Sequence, residues 1–109
     1  MILIADGGST KADWVALSNE GAELFRTRTH GVNPELLVEE LLMERVYSND
    51  ELIQNKDEVT KVFFYGAGCG TEKAKQFLKS VFEQIFTHAY VVVKEDMLAA
   101  VYAASGGQE

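Results

Sequence analysis

The stretch Ile2-Leu3-Ile4-Ala5-Asp6-Gly7-Gly8-Ser9-Thr10-Lys11-Ala12-Asp13-Trp14-Val15-Ala16-Leu17 decides the fold. Two apolar runs, 2–5 and 12–17, flank a break of glycine and hydroxyl residues, which reads as two strands folded back on each other. Ser18-Asn19-Glu20-Gly21 turns the chain again. Residues 22–29 then set Leu24, Arg26 and Arg28 opposite Phe25, Thr27 and Thr29, the alternation of a strand with one wetter face. Three strands joined by two tight turns form an antiparallel meander.

Beyond Gly31 the period changes. Asn33-Pro34-Glu35 combines an N-cap residue, a proline at the first helical position and an acid in the first turn, which predicts a helix carrying Leu37, Val38, Leu41, Leu42 and Val46 as its apolar stripe. The polar stretch 48–58 reads as its frayed end. Residues 60–65 form a fourth strand, Gly66-Ala67-Gly68-Cys69-Gly70 a glycine-rich loop, and Thr71 caps a second helix. That helix repeats Ala74, Phe77, Leu78, Val81, Phe82, Ile85 and Phe86 at helical spacing. Residues 89–93 read as a buried fifth strand, and Asp96 opens a third helix with Leu98, Ala99, Val101 and Tyr102. Right-handed crossovers make the fourth and fifth strands parallel to the first. The expected fold is α/β, a ribonuclease H-like mixed five-stranded sheet with helices on both faces, and residues 1–109 form one lobe.

Composition narrows the function. A chain of 109 residues with 47% hydrophobic and 25% charged residues holds one core and is neither a disordered tail nor a low-complexity segment. Seventeen acids against ten Lys and Arg give a net charge of −7, which disfavours a phosphate backbone as partner, so nucleic acid is not expected. No apolar run reaches the roughly 18–20 residues of a membrane span, and the start carries no basic leader, so a cytoplasmic protein without a membrane partner is expected. One cysteine, Cys69, excludes an internal disulfide and a multi-thiolate metal centre.

Four places could carry chemistry. At the turn from Asp6 to Lys11, the glycines Gly7 and Gly8 permit positive φ and uncover backbone amides. Ser9 and Thr10 add hydroxyls and Lys11 a charge, a set that suits a phosphate, with Asp6 toward Mg²⁺; a plain hairpin turn is the alternative. Asp96 follows the fifth strand, on the rim where the first strand also ends, and is either a helix cap or a carboxylate sharing a crevice with Asp6 and taking a proton from a substrate hydroxyl. Asn33 is either a cap or an amide for a sugar hydroxyl. Gly68 is either a structural turn or a close approach offering backbone groups to substrate. The loop 66–70 fails the dinucleotide fingerprint, because Thr71 stands where its third glycine belongs. Cys69 reads as a small loop residue, His30 and His88 as surface histidines, and Trp14 as core.

Together, Asp6-Gly-Gly-Ser-Thr-Lys11 with Ala12-Asp13-Trp14-Val15, then Gly31-Val-Asn33-Pro34, and Val91-Val-Val-Lys-Glu-Asp96-Met-Leu-Ala-Ala100 resemble the N-terminal lobe of N-acetylglucosamine kinases. These stand with the BadF/BadG/BcrA/BcrD-type ATPases in the actin, heat-shock chaperone and sugar kinase superfamily. The resemblance implies ATP and Mg²⁺ as cofactors, with residues 7–11 at the ATP phosphates, Thr10 a direct contact and Asp6 near the metal. It implies Asn33 and Asp96 at the sugar and Asp96 as the base. A complete member has a second glycine-rich phosphate turn and a second, adenosine-binding lobe, so this chain is expected to be a fragment that is inactive alone, with the missing C-terminal lobe as partner and a homodimer possible. An energy-coupling ATPase that activates 2-hydroxyacyl-CoA dehydratases, and a non-catalytic ligand sensor, are the rival functions on this fold.

Overall fold

The computed structural model describes residues 1–8 and 10–95. The elements are β1 (Ile2–Gly7), β2 (Lys11–Leu17), β3 (Glu23–His30), α1 (Glu39–Tyr47), α2 (Asp50–Gln54), a 3-10 turn at Lys56–Glu58, β4 (Lys61–Gly66), α3 (Glu72–Ile85) and β5 (Tyr90–Lys94). The five strands form one sheet in the order β3-β2-β1-β4-β5. Strands β1, β2 and β3 pair antiparallel, while β4 joins β1, and β5 joins β4, in parallel. This is the mixed ribonuclease H-like sheet read from the sequence. The third helix expected from Asp96 lies outside the described residues.

One cross-strand row explains the packing. Thr27, Trp14, Ala5, Phe64 and Val93 are register partners from β3 to β5, so a small residue on the central strand separates two large rings. The centroids of Trp14 and Phe64 lie 6.0 Å apart across Ala5, and Phe82 of α3 meets them at 5.7 and 5.3 Å. Each such aromatic pair adds about 0.5–1.5 kcal/mol beyond the area it buries. The indole Nε1 donates to Thr29 Oγ1 at 3.1 Å, so burial leaves no orphaned donor on the ring. Leu42 and Val46 of α1, with Leu78, Val81 and Ile85 of α3, close this core.

The same pleat places the residues of the site. One position nearer the rim, the opposite face carries the row Arg28, Asp13, Asp6, Tyr65, Lys94. One position nearer the rim again, back on the core face, is the row Thr29, Ala12, Gly7, Gly66, where small residues leave room for the Phe64 ring.

Three expectations need correction. Strand β1 runs through Asp6 and Gly7, which pair with Asp13 and Ala12, and Lys11 already belongs to β2, so the turn is only Gly8 to Thr10. No helix starts at Asn33. Residues 34–36 make one isolated turn, Val38 adopts an extended backbone (φ −77°, ψ 166°), and α1 begins at Glu39. That extended residue rotates the helix, so Leu42 and Val46 are buried while Val38 and Leu41 are exposed. The stretch 48–58 is not frayed either. Asn49 caps α2 by accepting from Leu52 N at 2.9 Å, and Leu52 is fully buried.

Candidate functional site

Three loops that were singled out separately converge at the rim where β1, β3 and β4 end. Gly31 N donates to Thr10 O at 2.8 Å, tying the segment after β3 to the hairpin turn. Ala67 N donates to Gly7 O at 2.8 Å, tying the loop after β4 to the end of β1. Gly68 then closes on Asn33, since a β-carbon at Gly68 would overlap the Asn33 amide. Asp6, Gly7, Thr10, Asn33 and Gly68 are thereby assembled by backbone bonds and one side-chain contact.

Asn33 neither caps a helix nor lies idle. Its Oδ1 accepts from Glu35 N at 2.9 Å, an Asx-type turn that satisfies the backbone locally, and its carbonyl accepts from Leu36 and Leu37 N at 3.2 Å. The residue is 9% exposed. Among the described residues Nδ2 has no hydrogen-bond partner. That leaves a positioned amide donor. Gly68 holds φ +80°, a left-handed conformation natural to glycine, so it combines a backbone need with the close approach.

The hairpin glycines work differently from the expectation. Neither Gly7 nor Gly8 has positive φ. Gly7 is a glycine because a β-carbon would run into the Phe64 ring, and a β-carbon at Gly66 would also meet Gly7 O at 2.9 Å. The Gly8 amide is spent on Lys11 O at 2.8 Å, closing the turn, so it is not free for a phosphate. Thr10 is exposed and Lys11 extends from the strand beyond it. Ser9 lies outside the described residues.

Asp6 is exposed and stands beside Asp13 across the β1–β2 pair and beside Tyr65 across β1–β4. Arg28 Nε donates to Asp13 Oδ1 at 2.6 Å, which offsets the like-charge pairing and leaves Asp6 as the carboxylate without a partner among the described residues. A single free carboxylate fits a hard cation such as Mg²⁺, which takes its remaining ligands from water and phosphate. Among the described residues no group of three or more His, Cys, Asp or Glu forms a metal cage. Burial pushes the Tyr65 phenol above its ordinary range, so it stays protonated beside Asp6.

Asp96 lies outside the described residues. Lys94, two positions before it, pairs with Tyr65, which pairs with Asp6, so β5 ends on the rim of β1 about 10 Å away at the usual strand spacing. The sequence reading overlooked Glu95, whose carboxylate stands against Gly70, where a β-carbon would sit 3.3 Å from Oε2. Its position directly after the fifth strand was the available signal. Cys69 is buried and its thiol is pushed up to about 11, by burial first and then by Glu35, against the pull of Lys75. It packs in the loop core.

A ribonuclease H-like lobe whose loops gather at one sheet rim defines the class. The chain is similar to a provisionally assigned N-acetylglucosamine kinase from Porphyromonas gingivalis, at 35% identity and a TM-score of 0.83 over 97% of this chain and 38% of that one. The resemblance to N-acetylglucosamine kinases read from the sequence therefore holds in structure. A second such protein, from Chromobacterium violaceum, shares the fold with a TM-score of 0.67 at 16% identity, over 98% of this chain and 39% of that one. The chain spans about two-fifths of the length of either. No family model and no curated protein matches it. Among the described residues no helix is long and apolar enough to cross a membrane.

Proposed function

We propose that this chain is the N-terminal lobe of a cytoplasmic, ATP-dependent kinase that phosphorylates an amino sugar such as N-acetylglucosamine. The convergence of Asn33 and Gly68 beside the Asp6–Lys11 hairpin is the observation that carries the reading, and the likeness to the Porphyromonas gingivalis protein supports it. In this reading Asn33 Nδ2 donates to a sugar oxygen, and Gly68 exposes backbone groups beside it. Thr10 and Lys11 meet the terminal phosphates of ATP, and Asp6 holds Mg²⁺ through its one free carboxylate. The metal, when bound with ATP, supplies charge neutralisation for phosphoryl transfer. Asp96 is assigned as the base that takes the proton from the accepting hydroxyl.

The test is calorimetric binding by the whole protein. Asn33→Ala is expected to weaken amino-sugar binding at least tenfold and leave Mg-ATP binding unchanged, while Asp6→Asn does the reverse. Equal effects of both variants on both ligands would contradict the division of roles.

A further inference from the structure

We infer that the pocket at the β3 edge of the sheet is a binding site for a phosphate dianion, either free or as a monoester. The pocket encloses about 350 Å³ and is lined by Lys11, Arg28, His30, Arg45, Ser48 and Asn49 with one threonine. Three of the ten Lys and Arg residues and one of the two histidines face it. Among the described residues no carboxylate lines it, although the chain has seventeen acids. Charge is locally inverted against a background of −7.

The walls are built by the fold. Lys11 and His30 are direct cross-strand partners, and Arg28 lies two residues before His30 on the same side of β3. Arg45 comes from the last turn of α1, where one guanidinium nitrogen donates to Gly31 O at 2.7 Å and fixes the side chain over the strand end. Asn49 Nδ2 donates to Thr27 Oγ1 at 2.7 Å and to Arg28 O at 3.2 Å, pinning the corner after α1 to the β3 edge. Arg28 spends Nε on Asp13 and retains its two terminal nitrogens, while the side chains of Lys11 and His30 have no hydrogen-bond or ion-pair partner among the described residues.

Basic groups facing one another repel, so their convergence favours an anion that compensates them. A tetrahedral dianion matches the set, because guanidinium groups present paired donors and the ammonium a point charge. Asp13 neutralises part of Arg28, so the site as it stands carries the charges of Lys11 and Arg45 with the His30 imidazole beside them. The pocket shares only Lys11 with the hairpin proposed to meet ATP, and its occupancy does not depend on the kinase reading.

The experiment is an amide NMR titration of the 109-residue chain at constant ionic strength. Its arms are inorganic phosphate, a hexose 6-phosphate, and the unphosphorylated hexose as control. Both phosphate arms are expected to give saturable shifts at residues 28–31 and 48–49, with tighter binding by the sugar phosphate if the ligand is an ester and equal binding if it is the free anion. Arg28→Gln should weaken the affinity at least tenfold, and Asp13→Asn, which releases Arg28, should strengthen it. Because both side chains are exposed, far-ultraviolet dichroism of each variant should remain that of the parent. Shifts that fail to saturate, that chloride reproduces, or that are confined to Gly7, Gly8 and Thr10 and survive Arg28→Gln would overturn the assignment.

Discussion

The amide of Asn33 occupies the space where a β-carbon of residue 68 would stand, so the two residues fill one volume that glycine alone leaves open. The left-handed φ of +80° at Gly68 reinforces the same choice. Gly68→Ala is therefore expected to cost about 1–2 kcal/mol from the backbone conformation alone and to displace the Asn33 amide as well. In the whole protein this variant should lose at least tenfold in amino-sugar affinity while holding Mg-ATP as before. Unchanged sugar binding would separate Gly68 from the site.

Gly7 and Gly66 lie against one ring, that of Phe64, and serve packing before any ligand. Gly7→Ala should destabilise the chain by about 1–3 kcal/mol, the usual cost of overpacking a filled core. Combining it with Phe64→Leu should recover part of that loss, because the smaller side chain vacates the clash. Strict additivity of the two changes in urea denaturation would deny the contact.

The Cys69 thiol, raised to about 11 by burial, gives stability a defined pH dependence. An acid whose folded value is raised keeps its proton longer in the folded state, so stability is intact below pH 9 and falls as the unfolded thiol ionises between pH 9 and about 11. The loss is on the order of 2 kcal/mol, and Cys69→Ala should remove that component. Denaturation midpoints at pH 8 and pH 10.5 compare the two chains. Iodoacetamide at pH 8 should label the wild type only after unfolding.

Two caps carry more than their local helices. Thr71 Oγ1 accepts from Ala74 N at 3.1 Å, and Thr71→Ala should cost about 1 kcal/mol, with serine restoring it. Asn49 caps α2 and also bonds Thr27 and Arg28 of β3. Asn49→Ala should therefore cost more, about 2 kcal/mol, and a cost equal to that of Thr71→Ala would show the strand bonds to be idle.

The sheet was legible because each strand carried its own signal: the hairpin between two apolar runs, the alternation of Arg26 and Arg28 with Phe25 and Thr27, and the short β-branched run 89–93. Crossover handedness then fixed the parallel pairs. Helix α3 was legible because Thr71 and seven apolar residues agreed on one period. The entry to α1 was not. Asn33-Pro34-Glu35 satisfies a helix start and an Asx turn equally well by composition, and only the extended Val38, set by how Leu42 and Val46 reach the core, decides between them. The hairpin glycines misled for a similar reason, since a glycine required by the ring of Phe64, fifty-seven positions away from Gly7, looks the same in sequence as one required by φ. The placing of Asn33 and Gly68 at one rim followed from the topology, whereas their direct contact depends on loop geometry that no periodicity encodes.

Phosphoryl transfer from Mg-ATP to a panel of amino sugars and plain hexoses, measured on the whole protein, tests the central reading most directly. Transfer to an amino sugar is expected, falling by about 10²–10⁴ in Asp96→Asn with sugar affinity held within about tenfold of the parent. Tight sugar binding with no transfer at any Mg-ATP concentration, or transfer indifferent to Asp96→Asn, would contradict it.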